Sequence, residues 1–410
     1  MNDQLIRHDT HCRLCGGNRI ATVFRLADTP MEDQFVVAPL EQPFFPLELA
    51  LCEDCGYLHL PHIVSPEASY TDYVYVSSLT VGLRNHYDQY AQKIINDWGV
   101  PASALVVDLG SNDGSMLASF KRQGMQVVGV EPAGSIAGLA NQAGLETINY
   151  FFTAEVAAGI TEKYGHARVV TANYMYANID DVTGFTRSVA KLLAPDGIFV
   201  VETGYHPEQM KIRMFDYIYH EHFSYFTVEV LQQLFAAAGL ELIHAQKTAP
   251  KGGSIRLVAQ LKSAHRPVDP SVSELIEEER ASGMRDAETY RKFACEIADA
   301  KRQLLSLLEE FKAAGKKIAG FGASHSTTTL ICHFGLAPFI DYLVDDNPVK
   351  QGRYSPGFHL PVFAADKLIA DQPDYVIMLG WQHRYSIMAK HPLMNGTQWI
   401  IPLPELQITS

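Results

Sequence analysis

The 410-residue chain is 47% hydrophobic and 19% charged, with 33 basic against 46 acidic residues and a formal charge of −13. That length holds about two to four domains with sizeable cores. The acidic balance argues against a nucleic-acid-wrapping surface, which needs clustered Lys and Arg, and no apolar run is long enough to span a membrane. The polar start, MNDQLIRHDTH, lacks a signal-type apolar region, so a soluble, cytoplasmic protein is expected.

The first pattern along the chain is two matched cysteine pairs. CRLCGG holds Cys12 and Cys15, and CEDCGY holds Cys52 and Cys55. Two such knuckles place four thiolates tetrahedrally around one Zn²⁺. Gly16 and Gly56 let the backbone turn back so that amide N–H groups approach the sulfurs. A disulfide or redox pair is the alternative, disfavoured in a cytoplasmic chain. Four protein ligands fill the coordination sphere, so the metal is structural.

From about Leu105 the pattern is α/β. ALVVDLGSNDGSML reads as a buried strand, a glycine-rich turn and a helix start, and QVVGVEP as a second strand ending in Glu131. RVVTANYMYA and GIFVVETGY read as further strands. Strands alternating with helices predict a parallel, doubly wound sheet. The turn DLGSNDG lacks the G-x-G-x-x-G of a dinucleotide fold and shows acid-x-G-x-x-x-G instead. That is the pattern of S-adenosylmethionine-dependent methyltransferases, whose ligand has no pyrophosphate to cradle. Asp108, Gly110 and Gly114 build the turn, Asn112 and Asp113 are expected to face the cationic methionine end, and Glu131 is placed for ribose hydroxyls. The alternative is an ordinary βα turn that binds nothing.

Next comes YIYHEHFSYF, Tyr217 to Phe226, with two histidines and a glutamate in an apolar run. Ionisable groups seldom sit in such a stretch without a reason. A metal site, a catalytic base and a hydrogen-bonded core pair are all open readings. A zinc-protease site fails on geometry, because helical ligands need i, i+4 spacing and His220 and His222 are two apart. KGGSIR follows, with Lys251 and Arg256. Ser271 to Gly315 is charged and helix-patterned, read as one or two long bridging helices. The α/β pattern then restarts with KKIAGFGASHSTTTL and FIDYLVDDNPVKQGRYSPG, a second, smaller Rossmann-like unit. Its turn tempts a dinucleotide reading with Asp345 as the acid, but His325 stands where the third glycine belongs. Lys251, Arg256, Lys350 and Arg353 are candidate pyrophosphate ligands, with solvated surface cations as the alternative.

These motifs together, with TPMEDQF, DYVYVSSLT and GVEPAGSIA, carry a resemblance over nearly the whole chain. The chain resembles the C-methyltransferases of nucleotide-linked deoxysugars, of the tetronitrose and mycarose/vancosamine type. The resemblance implies a zinc-binding domain (1–75), a class I methyltransferase core (76–265) and a helical linker with a Rossmann-like C-terminal domain (266–410). It implies S-adenosylmethionine as methyl donor, structural Zn²⁺, and a nucleotide-linked keto-sugar, expected to be dTDP-linked, as partner.

A C4 ketone acidifies the C3–H bond, a base takes the proton, and the enolate attacks the methyl group. The resemblance implies His222 as that base, Tyr219 as donor or proton relay, Glu221 as the group that orients one of them, and Tyr75 near cofactor and sugar. Asn173 keeps its place in the cofactor region. Relatives often carry histidine where this chain has Asn178, which cannot take a proton near neutral pH and is expected to hold the ketone or enolate oxygen. Methylation at oxygen or nitrogen, or a non-catalytic relative, is the alternative.

Overall fold

The fold is described from a computed structural model, which covers residues 6–65, 83–392 and 396–409. The first strands are β1 (Ile6–His8), β2 (Ile20–Arg25), β3 (Glu48–Cys52), β4 (Leu58–His59) and β5 (His62–Val64). They make a β1–β5 ribbon and a sheet of order β11–β4–β3–β2, whose fourth strand, β11 (Ser224–Tyr225), comes from more than 160 residues later, with Ser224 opposite His59.

The central sheet runs β12–β13–β10–β9–β6–β7–β8. In chain order its elements are α1 (Leu83–Asp97), β6 (Leu105–Leu109), α2 (Ser115–Arg122), β7 (Gln126–Val130), α3 (Gly134–Gln142), β8 (Thr147–Ile148), α4 (Ala154–Tyr164), β9 (Ala167–Asn173), α5 (Val182–Leu192) and β10 (Leu193–Gly204). After α6 (His206–Lys211) and the motif segment come α7 (Val228–Ala237), β12 (Leu240–Thr248) and β13 (Ser254–Leu261). Every residue of β6 is buried, as expected of a strand with helices on both faces. The sheet is mixed rather than all parallel, because β13 runs antiparallel to both β10 and β12. The short 249–253 loop turns β12 straight back into β13, and a hairpin of that length permits only antiparallel pairing.

The bridging region is two helices, α8 (Ser271–Ala281) and α9 (Ala287–Ala313). They separate at Gly283, whose φ of +69° suits glycine. The C-terminal unit contains β14 (Ile318–Phe321), α10 (His325–Phe334), β15 (Tyr342–Val344), β16 (Val362–Phe363), α11 (Asp366–Asp371), β17 (Tyr375–Met378), α12 (Arg384–Lys390), β18 (Gln398–Ile401) and β19 (Gln407–Thr409). Its sheet order is β16–β15–β14–β17–β18–β19, parallel except for β19.

Two large cores join these units. One runs from Phe24 and Leu49 through Phe215 and Ile218 to Phe293, Leu343 and Ile377. The other joins Cys12, Cys52 and Tyr57 to Val107, Phe199 and Phe235 of the central sheet. No described helix is long and apolar enough to cross a membrane.

Candidate active site

The four cysteine sulfurs lie within 4.8 Å of one another. Cys12–Cys55 and Cys15–Cys52 are each 3.6 Å apart, close to the roughly 3.8 Å edge of a tetrahedron with 2.3 Å zinc–sulfur bonds. Gly16 and Gly56 have φ of +72° and +81° and donate their N–H groups to the carbonyls of Cys12 and Cys52, 2.8 Å each. The Gly17 N–H points at the Cys15 sulfur at 3.4 Å. The donor set fits one zinc ion.

At the carboxyl ends of β6, β7 and β9 the glycine turn forms a second site. Gly110 has φ +65°, and a Cβ there would lie 2.7 Å from Met175. Glu131 is buried at the end of β7, where its carboxylate accepts the backbone N–H of Asn112 and of Ala133, both at 2.9 Å. Burial raises the proton affinity of Glu131 and lifts that of Asp108 to about 7, although Asp108 accepts the Thr171 hydroxyl at 2.6 Å. Asp113 uses Oδ1 on the backbone and hydroxyl of Ser115, which holds the start of α2. At the end of β9 the buried Asn173 side chain stands within hydrogen-bonding reach of Asp108 and Tyr90. The turn, with Gly110 in the left-handed region and the Glu131 carboxylate at the end of the next strand, fits S-adenosylmethionine.

The motif segment crosses beside this edge. His220 is wholly buried, its Nδ1 2.7 Å from Glu32 and its Nε2 3.2 Å from the Pro46 carbonyl. His222 differs. Its Nδ1 lies 3.3 Å from the Tyr217 carbonyl and its Nε2 3.0 Å from the Tyr219 hydroxyl. The two rings stack with centroids 4.2 Å apart. Burial, then the charges of Lys251 and His325, push the His222 pKa down to about 3, so the imidazole is neutral. Its Nδ1–H serves the carbonyl, which leaves the Nε2 lone pair facing the phenol. Glu221 Oε2 lies 3.2 Å from His325 Nε2.

The four cations read as pyrophosphate ligands are placed differently. Arg256 is buried on β13, bound to Glu202 at 2.6–2.7 Å and lying over the Tyr90 ring. Lys350 is 5% exposed and 2.5 Å from Asp33. A buried cation already neutralised by a carboxylate has little charge to offer a phosphate, so Arg256 and Lys350 act inside the fold. Arg353 donates to the Phe35 carbonyl at 3.1 Å. Lys251 stands close enough to the motif for its charge to act on His222, its ammonium 4.2 Å from the Tyr174 ring centroid and its pKa drawn down by burial to about 8 against the pull of Glu202. Asn178 ends a single 3-10 turn after β9. Tyr75 lies outside the described residues. Sequence reasoning missed Glu32, Asp33 and Glu202. Two of them stand in the quoted TPMEDQF, but no spacing rule links that stretch to a site almost 190 residues on.

Three family models match successive parts of the chain: a zinc binding domain over residues 12–70, a methyltransferase domain over 83–245, and a C-methyltransferase C-terminal domain over 249–404. The C-methyltransferase NovU of Streptomyces niveus is 34% identical over 412 residues, which covers 99% of this chain and 98% of NovU. The chain belongs to the C-methyltransferase family. It is an S-adenosylmethionine-dependent C-methyltransferase with a zinc-binding cysteine cluster. Solved structures similar to the chain include magnesium protoporphyrin IX methyltransferase of Synechocystis PCC 6803 with bound SAM (14% identity, TM-score 0.33, 44% of this chain and 79% of that one). The CcbJ methyltransferase of Streptomyces caelestis is another (14% identity, TM-score 0.35, 48% and 96%). At those scores neither bears on this C-methyltransferase's site.

Proposed function

We propose that the protein methylates a carbon, C3, next to the C4 ketone of a nucleotide-linked, dTDP-type 4-keto-deoxysugar. The observation that carries this reading is the stacked Tyr219–His222 pair, a neutral imidazole with its Nε2 lone pair against a phenol. Carbon methylation needs such a base, because a sugar carbon becomes nucleophilic only after losing a proton. S-adenosylmethionine supplies the electrophilic methyl group. His222 takes the C3 proton, directly or through Tyr219. Lys251 and Asn178 offer donors to the ketone oxygen as negative charge develops on it, an effect worth a few kcal/mol (~3) for a well-placed donor. Asn112, Gly110, Glu131 and Asn173 hold the donor molecule.

Incubation with methyl-labelled S-adenosylmethionine and a set of dTDP-4-keto-deoxysugars tests the reading. Label on carbon is expected. Label on oxygen or nitrogen replaces the C3 assignment, and no transfer to any of them removes the nucleotide-sugar assignment.

A further inference from the structure

The motif segment is clasped by parts of the chain distant in sequence. From the loop after β2, Glu32 accepts the His220 backbone N–H at 3.0 Å. From the C-terminal unit, Thr329 donates its hydroxyl to the Ile218 carbonyl at 3.1 Å, and Trp381 and Gln382 both donate to Asp216 Oδ2 at 3.0 Å. Thr328 closes the clasp by donating to the Glu32 carbonyl at 2.8 Å.

Four charged groups meet inside it. His325 Nε2 is 3.2 Å from Glu221 and its Nδ1 3.7 Å from Asp33. Lys350 is 2.5 Å from the same Asp33 oxygen. The His325 ring centroid lies 5.2 Å from that of Tyr219, the partner of His222. The groups facing His325 are thus the acids Asp33 and Glu221, the cation Lys350, the phenol of Tyr219 and the neutral His222.

Nothing in the local fold favours a cation at this position. His325 is the first residue of α10, where the helix dipole disfavours positive charge. Burial opposes the charge as well, yet Asp33 and then Glu221 outweigh it and raise the His325 pKa to about 9.

We propose that His325 is a positioning residue for methyl transfer: its ring, set between the Glu221 carboxylate and the Tyr219 phenol, holds this stretch of the motif in place, so the C-terminal unit completes the active site. This rests on the role given above to Tyr219 and His222. The contact fixes the stretch between Tyr219 and His222, whose phenol and imidazole must stay aligned for the proton to move between them. His325 is cationic below about pH 9, so its hold on Glu221 is present there and lost as pH rises through that value.

The test is the pH profile of kcat for transfer to a dTDP-4-keto-deoxysugar. Wild-type kcat is expected to fall as pH rises through about 9. His325→Gln is expected to lack that limb and to lose roughly 10- to 100-fold in kcat, with KM for S-adenosylmethionine within about twofold and zinc content unchanged. A His325→Gln protein with wild-type kcat and the same limb overturns the proposal. Should that variant not fold, Asp33→Asn serves instead. Loss of one acid moves the limb to lower pH, and an unmoved limb overturns the proposal.

If wild-type protein methylates no keto-sugar, the nucleotide-sugar reading falls, and NMR titration of ring-labelled histidine still decides this one. One resonance is expected to titrate near 9 and to shift downward in both Asp33→Asn and Glu221→Gln. A His325 that titrates at the ordinary value of about 6.5 sinks the inference.

Discussion

His222 is kept neutral by burial. Its folded pKa of about 3 lies far below that of a free imidazole, so its lone pair is free of a proton at any working pH, and a proton taken there is held weakly and passes on readily. An acid limb of the rate profile near 6.5 therefore does not arise from His222. His222→Asn keeps a hydrogen bond but removes the base, and turnover should fall by roughly 10²–10⁴-fold. S-adenosylmethionine affinity should hold. Solvent deuterium exchange at the carbon beside the ketone, followed by NMR without methyl donor, checks the step. Exchange at the wild-type rate in the variant transfers the role to Tyr219. Glu131 makes a separate prediction, since its carboxylate organises two N–H groups of the cofactor turn. Glu131→Ala should weaken S-adenosylmethionine binding by about 1–3 kcal/mol, and unchanged affinity by calorimetry would take Glu131 out of the site. The cysteine knuckles were readable from spacing, because each C-x-x-C carries its signature within four residues and the second pair repeats the first. Arg256 and Lys350 were not, because the acids that neutralise them lie 54 and 317 positions away, and a lysine in a sequence looks the same whether paired or free.

At the level of elements, most strands and helices follow from hydrophobic period and glycine punctuation, and the central sheet's parallel core was legible for that reason. The reversed β13 and the two-residue β11 were not. A strand's direction depends on the connection before it, and two residues carry no period. The loop Lys251-Gly252-Gly253 that turns the chain into β13 has positive φ at all three residues. It also touches the segment leading to the motif. A Cβ on Gly253, whose φ is +115°, would stand 2.7 Å from the Glu208 Cβ, and one on Gly252 would collide with the Met214 sulfur. Gly253→Ala should thus cost about 1–3 kcal/mol of stability and displace Lys251. Methyl transfer should fall more than S-adenosylmethionine affinity does. A variant with the wild-type melting temperature and turnover would show that the loop has room to shift.

The whole molecule makes the zinc cluster matter to a reaction in which the metal has no chemical part. Cys12, Cys52 and Cys55 lie in the same core as the central sheet. The strand after them, β4, pairs with β11 at the end of the catalytic motif, and the loop before β3 supplies Glu32 to His220 and Asp33 to His325. Unfolding the knuckles therefore exposes one face of the motif and leaves the His220 ring buried without its carboxylate, a costly state that the segment escapes by moving. The glycine turn stands on β6 and β7, which share that core but are held by strand pairing and hydrogen bonds of their own. Chelation of the metal, or Cys52→Ser, should then abolish methyl transfer while S-adenosylmethionine binding falls far less. Backbone hydrogen exchange should rise across residues 215–226 before it rises in β6. Metal-free protein with full turnover, or with 215–226 as protected as in the zinc form, would show that the motif stands without the domain that clasps it.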